Sequence, residues 1–310
     1  MPVELRRVVI ATDFSDRSVH AARLAALHIA GDAEVVLVHV VAIPELPEFI
    51  RSRFPRLRSV EESAVAGAIR RLSEVAGTLR APCARTEVRV GNVAEQITAV
   101  ARESRADLIV VGRHGDRPGV FHRIGTTADR VVRIAPVPVL LATSMRDARP
   151  RRILAALDDA DVTPRVVEWS RYFARRFEAD VTGLHVVTSP SFSHVALHAG
   201  TDGGVEEPSP RAIRERLANE AITWIRNELG PGADSKSISA EVGFGWPANQ
   251  IVAMAEQKNA ELIVIGRAGS GLGGRPLLGT VTHQVLRGAL CPVFVVVEPE
   301  PMWSAEASLV

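Results

Sequence analysis

Two stretches of this 310-residue chain hold glycines at a spacing that suits phosphate. The first, VVGRHGDRPGVFHRIGTT from Val110, places Gly112, Gly115 and Gly125, with Thr126 and Thr127 behind them. The second, VIGRAGSGLGGRPLLGTV from Val264, places Gly266, Gly269 and Gly279, followed by Thr280 and Val281. In both, two residues separate the first pair of glycines and nine separate the second glycine from the third. Residues without a Cβ let the backbone pass close to a ligand, and a Gly-Thr step that opens a helix turns unpaired N–H groups and a positive dipole end toward an anion. The threonine hydroxyl adds a donor or a metal contact. Each loop follows an apolar run, residues 108–111 or 262–265, of the kind that forms a buried strand. The turn from such a strand into a helix is where α/β folds hold nucleotides.

Other phosphate motifs fit less well. A Walker loop needs Lys directly after its glycine, and Thr126 and Thr280 stand there. Gly269, Gly271 and Gly274 match a dinucleotide fingerprint, but the helix starts only near Thr280 and the first loop has no equivalent. No acidic residue follows about 20 positions on, where that fingerprint needs one for the ribose.

The elements that must position these loops also occur twice. A strand ending in Asp13 (VVIATD) returns 145 residues later as one ending in Asp158 (ILAALD), and VLVHVV around His39 returns as VTGLHVV around His185. From Gly91 against Gly245 to Gly112 against Gly266 the offset is 154. The extra residues fall between Val186 and Gly245, in the Gly- and Pro-rich stretch TSPSFSHVALHAGTDGGVEEPSP, which reads as a long surface loop. Two domains are therefore expected, 1–144 and 151–300, joined by the charged linker MRDARP.

Within each half, buried strands alternate with amphipathic helices. Residues 8–11 form an apolar run, then a turn at Asp13, Ser15 and Asp16 leads into Val19, Ala22, Ala26 and Ile29 at helical spacing, closed by Gly31. In the second half Thr163 is placed to cap and Pro164 to fill the first turn of a helix whose Val166, Trp169, Phe173 and Phe177 share one apolar face. Those aromatics read as core. Second helices are expected over 61–79 and 211–229, third strands over 86–90 and 237–242, and third helices over 92–104 and 247–258. The last strands, VPVLLA and PVFVVV, are too apolar for open edges. The fold class is α/β: two tandem doubly wound, Rossmann-like parallel-sheet domains, packed along those edges as a pseudo-symmetric pair.

Bulk properties exclude several functions. A formal charge of +1 gives no general attraction to nucleic acid or to acidic surfaces. The longest apolar run, 35–43, has nine residues, half a membrane span, so no membrane partner is expected. MPVELRRVVI enters a strand directly, without the ordered regions of a signal peptide. Cys83 and Cys291 lack metal spacing, and a cytoplasmic location follows as the expectation. His39 and His185 lie on strands and read as packed, hydrogen-bonded histidines. His194 and His198, four apart, sit in the long loop rather than on a helix that could clip a metal. Arg117, His122, Arg123 and Arg275 in the spacers could neutralise a triphosphate, or be ordinary loop cations.

The chain resembles the universal stress protein family. The resemblance is carried by ATDFS (11–15), LVHVV (37–41), ADLIVVGRHG (106–115) and IGTTADRVVRIAPVPVLLA (124–142) in the first half. In the second it is carried by LHVV (184–187), AELIVIGRAGSG (260–271) and LLGTVTHQVLRGALCPVFVV (277–296). It spans nearly the whole chain as a tandem pair, and the Gly-x2-Gly-x9-Gly-Ser/Thr pattern marks the family's ATP-binding members. It implies ATP, with Mg2+, in each half. In the first, Asp13 and the backbone of Val40 would meet the adenosine end, Ala11 and Thr12 would line that wall, and Val111, Gly112, Gly115, Gly125, Thr126 and Thr127 would surround ribose and phosphates. The second-half counterparts are Ala156, Leu157, Asp158, Val186, Ile265, Gly266, Gly269, Gly279, Thr280 and Val281. Leu157 departs from Thr12, and Asp158-Asp159 lacks a Ser two residues on.

The expected function is ATP binding by a cytoplasmic, nucleotide-dependent stress-response regulator with little or slow hydrolysis. Turnover needs a positioned base or water-orienting group, and no carboxylate or Gln recurs beside the phosphates. No catalytic residue is assigned. The expected partners are an adenine nucleotide, a protein of unknown identity and a second copy of the chain. Two alternatives stay open: a nucleotidyl or phosphoryl transferase on the same fold, and a partner-binding scaffold with relic nucleotide sites.

Overall fold

The computed structural model describes residues 3–43, 53, 55–79, 84–113, 124–143, 149–188, 210–230, 238–267 and 278–297. The first half contains β1 (Arg7–Ala11), α1 (Asp16–Leu24), β2 (Glu34–Val41), α2 (Pro55–Thr78), β3 (Ala84–Val90), α3 (Val93–Glu103), β4 (Leu108–Gly112), α4 (Thr126–Ile134) and β5 (Val139–Ala142). The second half contains β6 (Arg152–Leu157), α5 (Thr163–Phe177), β7 (Asp180–Val187), α6 (Pro210–Leu229), β8 (Ile238–Phe244), α7 (Pro247–Gln257), β9 (Leu262–Gly266), α8 (Thr280–Gly288) and β10 (Val293–Val296). Among the described residues ten strands form one sheet, in the order β3-β2-β1-β4-β5-β10-β9-β6-β7-β8. Within each half all neighbours are parallel. β5 and β10 are antiparallel, with Leu140 opposite Phe294. Two apolar edges that would each invite aggregation thus cover one another, as their composition demands.

The sheet carries a core layer on each face. One joins Ile10, Leu37 and Leu72 to Phe173, Phe177 and Phe294, and the other joins Val9, Ile97 and Val131 to Ile263 and Val285. Trp169, Phe173 and Phe177 are buried, and Trp169 packs on Phe294 with ring centroids 4.7 Å apart. The outer edge strand β3 is blunted by charge: Arg89 pairs with Glu87 and Glu103.

Three elements differ from the sequence expectation. α2 begins at Pro55, six residues early, because proline at a first helical position is a start signal that the apolar period does not register. α1 runs on into a π turn, Ala25–Ala30, and a single extra residue per turn leaves no mark on a 3.6 period. Thr163 does not cap α5: Val162 holds the cap position, and the Thr163 hydroxyl turns back to Asp158.

Gly31, which closes the π turn, has φ 59°, and a Cβ there would lie 1.9 Å from Arg176 Nη2 of the second half. Arg176 Nε donates to the His28 carbonyl at 3.4 Å. The positive φ therefore calls for glycine, and the Arg176 guanidinium lies in the space it leaves.

Candidate functional site

β1 and β4 are parallel neighbours whose connections leave to opposite sides, and β6 and β9 repeat that arrangement. The crevice at the C-terminal ends of such a strand pair is the binding position of doubly wound folds. The sequence-assigned residues that the structure describes lie there on three elements: the end of the first strand in each half, the second strand beside it, and the strand-to-helix junction after the fourth.

In the first half, Thr12 is buried and donates its N–H to Val38 O at 3.0 Å. Its hydroxyl lies 2.8 Å from Ser18 Oγ and accepts the Phe14 N–H at 3.1 Å. Phe14 is left-handed, at φ 65°. Asp13 Oδ1 accepts from Ser15 N at 3.0 Å and Ser15 Oγ at 2.6 Å, while Ser15 caps α1 through the Ser18 N–H. Partial burial pushes the Asp13 carboxyl up, but hydrogen bonds from Ser15 and Ser18 outweigh it and hold the group below its usual range. Asp13 is thus a fixed, ionised carboxylate at the exposed rim.

His39 stands behind that turn. Its Nδ1 donates to the Thr12 carbonyl at 2.8 Å, which leaves Nε2 as the acceptor nitrogen of the neutral ring. Burial, with Arg71 adding to it, holds His39 below its usual range against the pull of Thr12 and Asp13. Phe14 stacks on His39, and the Arg71 guanidinium lies 4.5 Å from the Phe14 centroid on α2. Phe14 and Arg71 were not singled out in the sequence. Their 57-residue separation leaves no local signal.

The strand-to-helix junction forms the other wall. Gly112 ends β4 opposite Ala142, Val111 is buried before it, and the Gly125 N–H bonds back to Arg113 O at 2.9 Å. Gly125 precedes α4 at φ −63° and ψ 145°, and no side chain caps the helix. Thr126 and Thr127 are exposed in its first turn. These angles suit any residue, so the backbone does not require glycine at 125. Gly115, Arg117, His122 and Arg123 lie outside the described residues.

The second half repeats the junction. Gly279 bonds to Arg267 O at 3.0 Å and precedes α8 at φ −61° and ψ 146°, again without a side-chain cap. Thr280 is exposed and Val281 half-buried. Gly269 and Arg275 lie outside the described residues, as do His194, His198 and Cys83.

Its first wall differs. His185 Nδ1 donates to Leu157 O at 2.9 Å, as His39 does to Thr12, but the ring sits T-shaped against Trp224 instead of stacking on a phenyl. Thr163 Oγ1 lies 2.5 Å from Asp158 O and 3.0 Å from its carboxylate, while Leu157 is buried. A Cβ on Gly266 would lie 2.4 Å from Val162 Cγ1, so packing alone requires that glycine. Ala156 and Val186 are half-buried, Ile265 and Val40 buried, and Ala11 half-buried at its own strand end.

No group of three or more His, Cys, Asp or Glu among the described residues could hold a metal ion. None of the described helices is long and apolar enough to cross a membrane. A cavity of about 210 Å³ beside Arg152, Asp180 and Lys258 lies at the opposite end of the sheet, where Arg152 pairs with Glu261 and Lys258 with Glu241. Its cations are already matched.

Comparison with known proteins agrees with this architecture. The Universal stress protein family matches residues 4–143 and again 150–297. A universal stress protein of Mycolicibacterium smegmatis is 29% identical over 293 residues, covering 91% of this chain and 92% of that one. One from Methanocaldococcus jannaschii is 33% identical over 151 residues, covering 48% of this chain and 84% of its own length. The crystal structure of a universal stress protein from Archaeoglobus fulgidus covers 94% of this chain and 96% of its own, with a TM-score of 0.59 at 18% identity, a likeness of fold. Two family matches covering nearly every residue, on two half-sheets joined edge to edge, place the chain in the universal stress protein family as a tandem member.

Proposed function

We propose that the chain binds ATP, with Mg2+, at the C-terminal edge of each half-sheet and acts as a cytoplasmic, nucleotide-dependent regulator of a stress response. The observation that carries this reading is the pair of uncapped helix starts at Gly125 and Gly279, each facing the end of a switch-point strand. The first amide groups of such a helix are donors without acceptors, and an anion completes them. In the first half the N–H groups and hydroxyls of Thr126 and Thr127 would take phosphate oxygens, and the ionised Asp13 would accept from the adenosine end beside Val40. ATP supplies the triphosphate charge that these donors match. The second half would use Thr280, Asp158 and Val186 in the same roles.

The first half is the stronger site in this reading. Its wall keeps the hydroxyl pair Thr12 and Ser18, where the second half has Leu157 and spends Thr163 on Asp158. Hydrolysis would be slow or incidental because no carboxylate or Gln recurs in both loops to act as a base. Asp129, in the first turn of α4, is engaged by Arg133 at 2.8 Å and faces His283 at 3.4 Å. The segments 1–144 and 151–300 are the two functional units, and a protein partner or a second copy of the chain would read their state. Calorimetric titration of the full chain with ATP and Mg2+ tests the reading. Saturable binding supports it, and no heat or retention of adenine nucleotide refutes it.

A further inference from the structure

We propose that the two phosphate sites form one coupled unit, in which Arg113 and Arg267 are positioning residues that let nucleotide at one site tighten the other. This rests on the phosphate reading of Gly125 and Gly279 given above.

Arg113 follows Gly112 directly and closes the base of the first spacer. Its N–H donates to Ala142 O at 3.0 Å, and its carbonyl accepts from Gly125 N at 2.9 Å. The side chain, in a residue only 6% exposed, leaves its own half and donates to the carbonyls of Arg287 and Ala289 at the C-terminal end of α8. Arg267 does the reciprocal. Its N–H donates to Val296 O at 2.7 Å, its carbonyl accepts from Gly279 N at 3.0 Å, and its guanidinium donates to Ala135 O at 2.9 Å and Arg133 O at 3.4 Å, at the C-terminal end of α4. Each helix therefore has its own half's phosphate end at the N-terminus and the other half's arginine at the C-terminus. The hydrogen bonds close a ring: Gly125, α4, Arg267, Gly279, α8, Arg113 and back to Gly125.

Charge complements both helix ends in the ring. Burial lowers the Arg113 pKa from its ordinary value, and no carboxylate pairs with it among the described residues. The guanidinium stays charged regardless, and its compensation is the negative end of α8. An anion at the N-terminus of a helix and a cation at its C-terminus act on the same dipole with the same sign. Phosphate at Gly279 and the guanidinium of Arg113 each favour the ordered α8, so they couple through the ordering of that helix, and Arg113 sets the geometry of the Gly112 and Gly125 junction. The second nucleotide then meets a site that needs less ordering, which is positive cooperativity and is reciprocal by linkage.

Calorimetric titration of the full chain with ATP and Mg2+ reads this directly. We expect two nucleotides per wild-type chain, with the second bound at least about 5-fold tighter than independent sites would give. In the Arg113→Met, Arg267→Met double variant both sites fill, more weakly and independently. Should that variant fail to fold, Arg267→Lys is read instead. It keeps charge and stem but not the two-pronged reach, and its coupling falls below wild type. Independent sites in the wild type, a single nucleotide per chain, or weaker sites with unchanged coupling in the variants would each overturn the proposal. No adenine nucleotide binding at all overturns the underlying phosphate reading as well.

Discussion

Phe14 lies flat on His39, with ring centroids 4.1 Å apart and the planes 27° from parallel. The contact explains how a bulky residue is kept at φ 65°, a region such residues avoid. Arg71 covers the free face of Phe14, so the turn that presents Asp13 is clamped between a strand histidine and a helix arginine. Phe14→Ala loses the stack and keeps a Cβ at positive φ, and we expect a loss of about 1 kcal/mol or more. Phe14→Gly loses the same stack but relieves the backbone, so it should be the more stable of the two variants in urea unfolding. Equal stability would show that the turn is unstrained.

The same histidine gives the fold a pH dependence with a definite sign. Its folded pKa lies below the ordinary value of 6.5, so as pH falls through about 6.5 the unfolded chain takes up a proton before the folded chain does. The His39 contribution is present in full above that range and is lost as pH falls toward the folded pKa. His39→Gln should flatten this part of the stability profile measured by denaturant midpoint. A wild-type profile that rises on acidification through this window would contradict the assignment.

Gly31 and Arg176 offer a test of how the halves are joined. Gly31→Ala should cost about 1–3 kcal/mol from backbone strain, with a smaller part from displacing the Arg176 guanidinium and its bond to His28 O. Arg176→Ala removes the clash and leaves the strain. In thermal unfolding, Gly31→Ala should therefore lower Tm less in the Arg176→Ala background than in the wild type. Additive effects would mean that the two residues do not meet.

Much of this architecture is legible in the residues alone. Thr126 and Thr280 open helices where the Gly-Thr steps place them, and β5 pairs with β10 because two such apolar edges cannot both face water. Local periodicity and turn chemistry carry that information. The reach of Arg113 and Arg267 into the opposite half was not legible, since an arginine after a strand reads as a loop cation until the halves are docked. The change from Thr12 to Leu157 was legible from the repeat itself, but the turning of the Thr163 hydroxyl back onto Asp158 was not, because a threonine at a helix start reads as a cap.

The phosphate ends can be removed one at a time. Gly125→Glu or Gly279→Glu puts a carboxylate at a helix start where phosphate oxygens should lie, and like charges at that distance repel. Each glycine has backbone angles open to any residue, so circular dichroism should remain native while one site is lost. Loss of the fold instead would trace those glycines to packing.

Nucleotide stoichiometry by native mass spectrometry, on the wild type and on these two variants with ATP and Mg2+ present, tests the central claim most directly. We expect two adenine nucleotides on the wild-type chain, one on each single variant and none on the double variant. A wild-type chain that holds no adenine nucleotide, or two single variants that each still hold two, would contradict the assignment of Gly125 and Gly279 as phosphate ends.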